Sequence, residues 1–146
     1  MPDLTRFVEA QATTYEQSSA ELRSGQKRSH WMWFIFPQIH GLGRSPTAVR
    51  YAIASLEEAR AYLAHPILGP RLLASTVILL SLHGRSAEQI FGSPDDLKLH
   101  SSLTLFDLAA PGGVFHEALE RYFAGRRDPN TLRQVASVPA DDGASR

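Results

Sequence analysis

Signals that start and stop helices recur along nearly the whole chain of 146 residues. Ser and Asp residues that can cap a helix precede apolar residues at helical spacing, and Gly or Pro follows them. No stretch shows the strict alternation of a half-buried strand, and no hairpin turn dipeptide lies between apolar runs. The pattern predicts a compact, single-domain, all-α fold, an orthogonal array of about six to eight helices with no sheet. The predicted helices cover about residues 3–24, 46–53, 56–64, 68–82, 87–91, 94–109, 115–123 and 129–135.

Several helix starts are sharply marked. Ser45 followed by Pro46 is a cap with proline at the first helical position. Three Ser-led boxes, at residues 55–58, 86–89 and 93–96, have the spacing in which side chain and backbone satisfy each other's N–H groups. The helix at 68–82 is apolar nearly all round, which predicts burial at the centre of the fold. We assign residues 1–136 to one domain and residues 137–146, rich in Pro, Ala, Asp, Gly and Ser, to a frayed tail.

Composition excludes several classes of function. Fifteen basic residues balance fifteen acidic ones, which argues against binding a nucleic acid duplex through many phosphates. Cysteine is absent, which removes disulfides, thiolate metal sites and a cysteine nucleophile. The longest purely apolar run, residues 31–36, is far shorter than the roughly 20 residues of a membrane span. No signal-peptide pattern opens the chain, so we expect a cytoplasmic protein with no membrane partner.

The most informative stretch is residues 27–38, Lys-Arg-Ser-His-Trp-Met-Trp-Phe-Ile-Phe-Pro-Gln, which we call the aromatic segment. Its functional interpretation is a pocket lip at which cations and a histidine hold an anionic group and an indole offers a ring face to a base. The alternative is a plug that fills the core with its rings and leaves its charged end in water. The candidate ligand-binding residues here are Lys27, Arg28, His30, Trp31, with Trp33 as the alternative ring, and Gln38.

A second set of candidates falls on the predicted helix 94–109. Lys98 and Ser102 share a face with Asp95, and Ser101 lies beside it. The functional interpretation is a polar wall of the same pocket, in which Asp95 or Asp96 acts as acid or base. The alternative is a helix start stabilised by acidic residues near its positive dipole end, followed by a solvated face.

No motif predicts a metal or a cofactor. Six histidines occur, but no pair has a chelating interval or the His-Glu-x-x-His arrangement. A nucleophile elbow, a phosphate loop and a dinucleotide fingerprint are also absent from the sequence. We therefore expect no metal site and no cofactor.

Beyond these patterns, several long strings carry a resemblance to a known family. They are Arg6-Phe7, Ala10-Gln11, the aromatic segment with Gly41-Leu-Gly43, Tyr51-Ala-Ile53, Tyr62-Leu63, His65-Pro66, Gly92-Ser-Pro-Asp-Asp96 with Lys98, and Ser101-Ser-Leu-Thr-Leu-Phe106. In these strings the chain resembles, from about Leu4 to Leu132, the bacterial proteins grouped as domain of unknown function 1810, sometimes labelled calpastatin-like. Leu103 stands where methionine is usual in that family, which is a mild exchange. The resemblance implies a compact all-α fold and assigns no activity.

Three functional hypotheses follow from the sequence. The first is a pocket for an anionic, nucleotide-like small molecule between the aromatic segment and the face of Asp95, Lys98, Ser101 and Ser102. The second is a module for protein interaction or homo-oligomerisation through a patch of Trp31, Trp33 and Phe36. The third is hydrolysis of a nucleotide or glycosidic bond by Asp95 or Asp96. Whether the chain is an enzyme stays open at this stage.

Overall fold

The computed structural model describes residues 2–137, and within them it contains helices and no strand. The all-α prediction is therefore confirmed. The helices are α1 (Thr5–Ala12), α2 (Tyr15–Ser24), α3 (Met32–Ile35), α4 (Pro46–Arg50), α5 (Leu56–Ala64), α6 (Leu68–Ser81), α7 (Ala87–Phe91), α8 (Asp95–Ala109), α9 (Val114–Phe123) and α10 (Pro129–Ser137).

Ten helical segments replace the expected six to eight for two reasons. The predicted helix 3–24 is interrupted at Thr13 and Thr14, and the aromatic segment contains the single-turn helix α3. Gly25 ends α2 in the left-handed conformation (φ 78°), as the sequence predicted. Of the predicted tail, residues 137–146, Ser137 is the last residue of α10, and residues 138–146 lie outside the described part of the chain.

Helix α8 is the centre of the fold. It packs against α5, α7, α9 and α10, while α6 packs against α2, α5 and α9. Seven consecutive residues of α8, from 101 to 107, are buried. Helix α6, predicted to be buried on all sides, instead leaves Leu73 and Val77 exposed (43% and 54%). The helix that is buried on all sides, over residues 101–107, is α8. Its mixture of polar and apolar residues does not predict this burial.

The predicted caps are formed in part. The Ser45 hydroxyl accepts the Ala48 N–H, and the box of Ser86 and Gln89 is complete in both directions. The box at residues 93–96 is not formed, because Pro94 occupies the cap position and no side chain caps α8. Helix α4 also ends earlier than predicted, at Arg50, which leaves residues 51–54 outside the helix, where Ile53 pairs with Ile39 of the loop at residues 37–45.

Candidate functional site

One buried carboxylate holds the start of the aromatic segment in place. Glu21 of α2 is only 4% exposed, and its Oε1 accepts the backbone N–H groups of Arg28 (2.8 Å) and Ser29 (3.1 Å) and the Trp31 indole N–H (2.8 Å). Its Oε2 accepts the Ser29 hydroxyl and the Gln17 amide. Glu21 lies outside every motif, so the sequence analysis missed it.

These bonds decide the ionisation of Glu21. Burial by itself would raise the pKa of this carboxyl, but the hydrogen bonds from Ser29, Arg28, Gln17 and Trp31 outweigh burial and lower the pKa from 4.5 to about 2. Glu21 is therefore a fixed anion at neutral pH. Its role is to orient the segment that follows.

Two lysines converge on one aspartate at the junction of the aromatic segment and α8. Lys27 Nζ lies 2.8 Å from Asp95 Oδ2, and Lys98 Nζ lies 3.3 Å from Asp95 Oδ1. Each ammonium also lies 5.0 Å from the centroid of an indole ring, Lys27 over Trp31 and Lys98 over Trp33. We call Lys27, Asp95 and Lys98 the lysine–aspartate cluster; its net charge is one positive charge.

The two lysines of this cluster differ in freedom. The Lys27 side chain is 8% exposed and also donates to the Ser29 carbonyl, whereas the Lys98 side chain is 26% exposed and lines a cavity. Lys27 is therefore a buried counter-ion for Asp95. Lys98 can turn to another anion without leaving the Asp95 carboxylate unpaired.

The remaining predicted residues are dispersed. Trp31 is 1% exposed, so the indole first expected to offer a ring face belongs to the core, and Trp33 is the partly exposed one. Arg28 and His30 are exposed, and neither lines the cavities described below. Ser102 is 1% exposed, and its hydroxyl has no hydrogen-bond partner among the described residues.

A cleft of two adjoining cavities lies beside the lysine–aspartate cluster. The larger cavity has a volume of about 460 Å³, within the range of small-molecule sites. It combines four predicted residues, Trp33, Gln38, Lys98 and Ser101, with basic and polar groups from other parts of the chain. Its lining is Trp33, Gln38, Leu42, Gly43, Arg44, Ser45, Ala48, Pro94, Leu97, Lys98, His100, Ser101, Asp128 and Asn130.

The smaller cavity has a volume of about 220 Å³ and a more apolar wall. It shares Trp33, Gln38, Gly43 and Ala48 with the larger cavity, so these four residues form the junction of the two. Its other lining residues are Ile39, His40, Gly41, Val49, Tyr51 and Ala52. The cleft thus changes from a charged end to an uncharged end across Trp33.

The loop at residues 37–45 forms one side of the cleft and is pinned at several points. A parallel bridge pairs Ile39 with Ile53 through His40 N–H to Ile53 O and Ile53 N–H to Gln38 O, both 2.8 Å. The Gln134 amide of α10 donates to the His40 carbonyl (2.9 Å). Gly41 has φ 93°, a conformation that side-chain-bearing residues rarely adopt, and a Cβ there would displace the Gln134 amide that donates to His40.

Asp128 fastens the opposite side of the cleft. Its Oδ2 accepts the Ser101 hydroxyl (3.0 Å), the Thr131 N–H (3.1 Å) and the Thr131 hydroxyl (2.6 Å), while its own N–H donates to Thr104 Oγ1 (2.9 Å). Asp128 therefore caps α10 and ties it to α8. These bonds engage the Ser101 hydroxyl in holding the wall.

Neither candidate acid or base lines the cleft. Asp95 is held between two ammonium groups, and Asp96 has one carboxylate oxygen, Oδ1, that is buried without a hydrogen-bond partner in the described chain. The lining of both cavities omits these two residues. The sequence analysis missed Arg44, Tyr51 and Asn130. Arg44 could have been predicted from the sequence, because this cation lies directly between Gly43 of the loop and the helix cap Ser45.

The described residues contain neither a metal-binding cluster nor a single helix able to span a membrane. No group of three or more His, Asp or Glu side chains there is placed to hold a metal ion. Among the same residues, no single helix has both the length and the apolar composition to cross a membrane. Helices α5 and α6 meet those criteria only as a pair, with a 90° bend between them.

The fold and the cleft define a class: an all-α domain with a two-chambered cleft whose wall carries a tryptophan and a lysine side by side. The chain belongs to the family described as "Protein of unknown function (DUF1810)", whose model matches residues 1–135. It is similar to a protein from Mycobacterium tuberculosis whose crystal structure is described as that of "the conserved hypothetical protein Rv1873". The two are 55% identical with a TM-score of 0.90, over 92% of this chain and 96% of the other. A comparison with curated proteins finds no match.

Proposed function

We propose that this chain binds an anionic, nucleotide-like small molecule in the cleft, with Lys98 as the main residue for the anionic group. One observation carries the proposal: Lys98 Nζ lies 5.0 Å from the centroid of the Trp33 ring, and both side chains line the larger cavity. A cation beside a ring face suits a ligand that joins a negative group to a planar ring. Arg44 and Asn130 line the same cavity and add further donors.

The lysine–aspartate cluster supports this assignment electrostatically. Because Lys27 remains 2.8 Å from Asp95, an incoming anion can take Lys98 while Asp95 keeps a counter-ion. The cost of leaving a partly buried charge unpaired, several kcal/mol in general, is thereby avoided. Asp95 in this proposal positions Lys98 and takes no part in acid or base chemistry.

The two rival hypotheses receive less support. The interaction patch requires exposed rings, but Trp31 and Phe36 are each 1% exposed. Hydrolysis by Asp95 or Asp96 requires a carboxylate in the cleft, and neither residue lines it. We therefore propose binding without assigning a reaction, in a cytoplasmic protein whose partner is the small molecule.

The proposal is tested by titrating the full chain with inorganic phosphate and with adenosine 5′-monophosphate, following tryptophan fluorescence and melting temperature. We expect saturable binding that raises the melting temperature, by ligand linkage. Lys98→Met should weaken both ligands at least tenfold, because it removes the ammonium from the cavity wall.

Arg60→Met is the matched control, since it removes one positive charge from an exposed position on α5 outside both cavities. Equal affinities in Lys98→Met and Arg60→Met, or no binding of either ligand by the unaltered chain, would contradict the proposal.

A further inference from the structure

The smaller cavity differs from the larger one in charge. Its ten lining residues include no Asp, Glu, Lys or Arg, whereas the larger cavity has Arg44, Lys98 and Asp128 in its wall. A charged group placed in the smaller cavity would lose hydration and find no Asp, Glu, Lys or Arg as a counter-ion, with the imidazole of His40 as the one charge-bearing side chain in the lining, which is unfavourable. The smaller cavity therefore suits the uncharged end of a ligand.

The lining and the volume of this cavity suit a planar ring. Trp33 and Tyr51 provide two aromatic walls, and Val49 and Ala52 complete an apolar lining. An engineered cavity of about 150 Å³ is known to accept benzene. A volume of about 220 Å³ therefore admits a ring system larger than benzene.

Gln38 supplies a means of reading the edge of such a ring. It lies at the junction of the two cavities, and its side-chain amide makes no hydrogen bond to another described residue. Its backbone carbonyl is engaged with Ile53, which holds the residue in place. A free amide offers a donor and an acceptor together, as needed to pair with the edge of a heterocyclic base.

The geometry points to the smaller cavity as a separate subsite for the uncharged heterocyclic ring of the ligand, with the anionic group at Lys98 across Trp33. This inference rests on the proposed function and deepens it: the ligand class becomes a molecule with an uncharged ring at one end and its anion at the other, as in a nucleoside monophosphate. Each end of the ligand then contacts its own set of residues in the cleft. Affinity for the whole molecule gains from both ends because they are covalently linked.

The test separates the two ends with three probes: inorganic phosphate, adenosine and adenosine 5′-monophosphate. Ala52→Leu fills the smaller cavity, and Ala54→Leu is the matched control because Ala54 is exposed and lines neither cavity. We expect Ala52→Leu to weaken adenosine and the monophosphate at least tenfold and to leave phosphate unchanged. Lys98→Met should weaken phosphate and the monophosphate and leave adenosine unchanged.

Val49→Phe provides a second variant at the exposed mouth of the smaller cavity, in case Ala52→Leu lowers the melting temperature. Unchanged adenosine affinity in both variants would overturn the subsite. Monophosphate binding no tighter than phosphate in the unaltered chain would also overturn it. That second result leaves the anion site at Lys98 intact. Failure of the unaltered chain to bind phosphate would instead contradict the proposed function itself.

Discussion

Single residues hold the aromatic segment and the wall of the cleft in place, and they act through hydrogen bonds that are buried or part-buried. Glu21 organises residues 28–31 from α2, and Asp128 organises α10 from the other side. A carboxylate that accepts several N–H bonds stabilises the charged form and fixes the donors around it. The orientation of the aromatic segment therefore depends on a residue outside it.

Glu21 should make stability depend on pH. Its pKa is lowered from 4.5 to about 2 on folding, so its contribution is fully present above pH 4.5 and is lost as the pH falls toward 2. By linkage that contribution is about 3 kcal/mol. Glu21→Gln should therefore lower the free energy of unfolding at pH 7 by about this amount and flatten its decline between pH 5 and 2, as measured by urea denaturation.

The control for Glu21 is Glu16→Gln, which removes a carboxylate from an exposed position in the same helix. It should leave both the stability at pH 7 and its acid dependence nearly unchanged. If the free energy of unfolding falls equally with acid pH in the unaltered chain and in Glu21→Gln, the lowered pKa of Glu21 does not contribute to stability.

At the scale of elements, the cleft exists because short segments are tied to long helices. The loop at residues 37–45 is joined to residues 51–54 by the Ile39–Ile53 bridge and to α10 by Gln134. Helix α10 is tied to α8 through Asp128. Since α10 contacts both sides, its position should control the width of the cleft.

Loss of the α10 cap should therefore affect both stability and ligand binding. Asp128→Ala removes the acceptor of the Ser101 and Thr131 groups, and we expect a loss of about 1–2 kcal/mol in the free energy of unfolding. Binding of adenosine 5′-monophosphate should weaken as well. Asn130→Ala, at an exposed position in the first turn of α10, should cost less than 0.5 kcal/mol; a cost equal to that of Asp128→Ala would refute the capping role.

At the scale of the whole molecule, α8 joins the parts of the core. Phe106 is fully buried on this helix and packs against Tyr62 of α5 (5.4 Å between ring centroids) and Phe115 of α9 (5.7 Å). One ring thus connects three helices. The core and the cleft share this helix, because Lys98 and Ser101 lie one to two turns before Phe106.

Truncation of that ring should destabilise the entire domain. Phe106→Ala should cost about 3–5 kcal/mol, the range for deleting a buried phenylalanine. Val77→Ala on the exposed face of α6 should stay within about 0.5 kcal/mol. Urea denaturation followed by circular dichroism checks both, and a small effect of Phe106→Ala would contradict the central position of α8.

Local sequence signals were sufficient to predict the class of fold and most helix boundaries, because caps, glycine stops and apolar spacing act within a few residues. The Ser86–Gln89 box, the Ser45 cap and Gly25 lie where local chemistry places them. The resemblance to the DUF1810 family was likewise readable from contiguous strings. These local signals wrongly predicted a capping box at residues 93–96 and burial of every side of α6. Packing against neighbouring helices decides both features.

Packing between distant segments selects which of the predicted residues come together at the cleft. Lys27 and Lys98 are 71 positions apart, and their meeting at Asp95 depends on how the aromatic segment packs on α8. Trp31 and Trp33 are two positions apart, yet one is buried against Glu21 and the other lines the cleft. Composition predicts that rings and charges will be sorted between core and surface, but which ring reaches the cleft depends on contacts between distant segments.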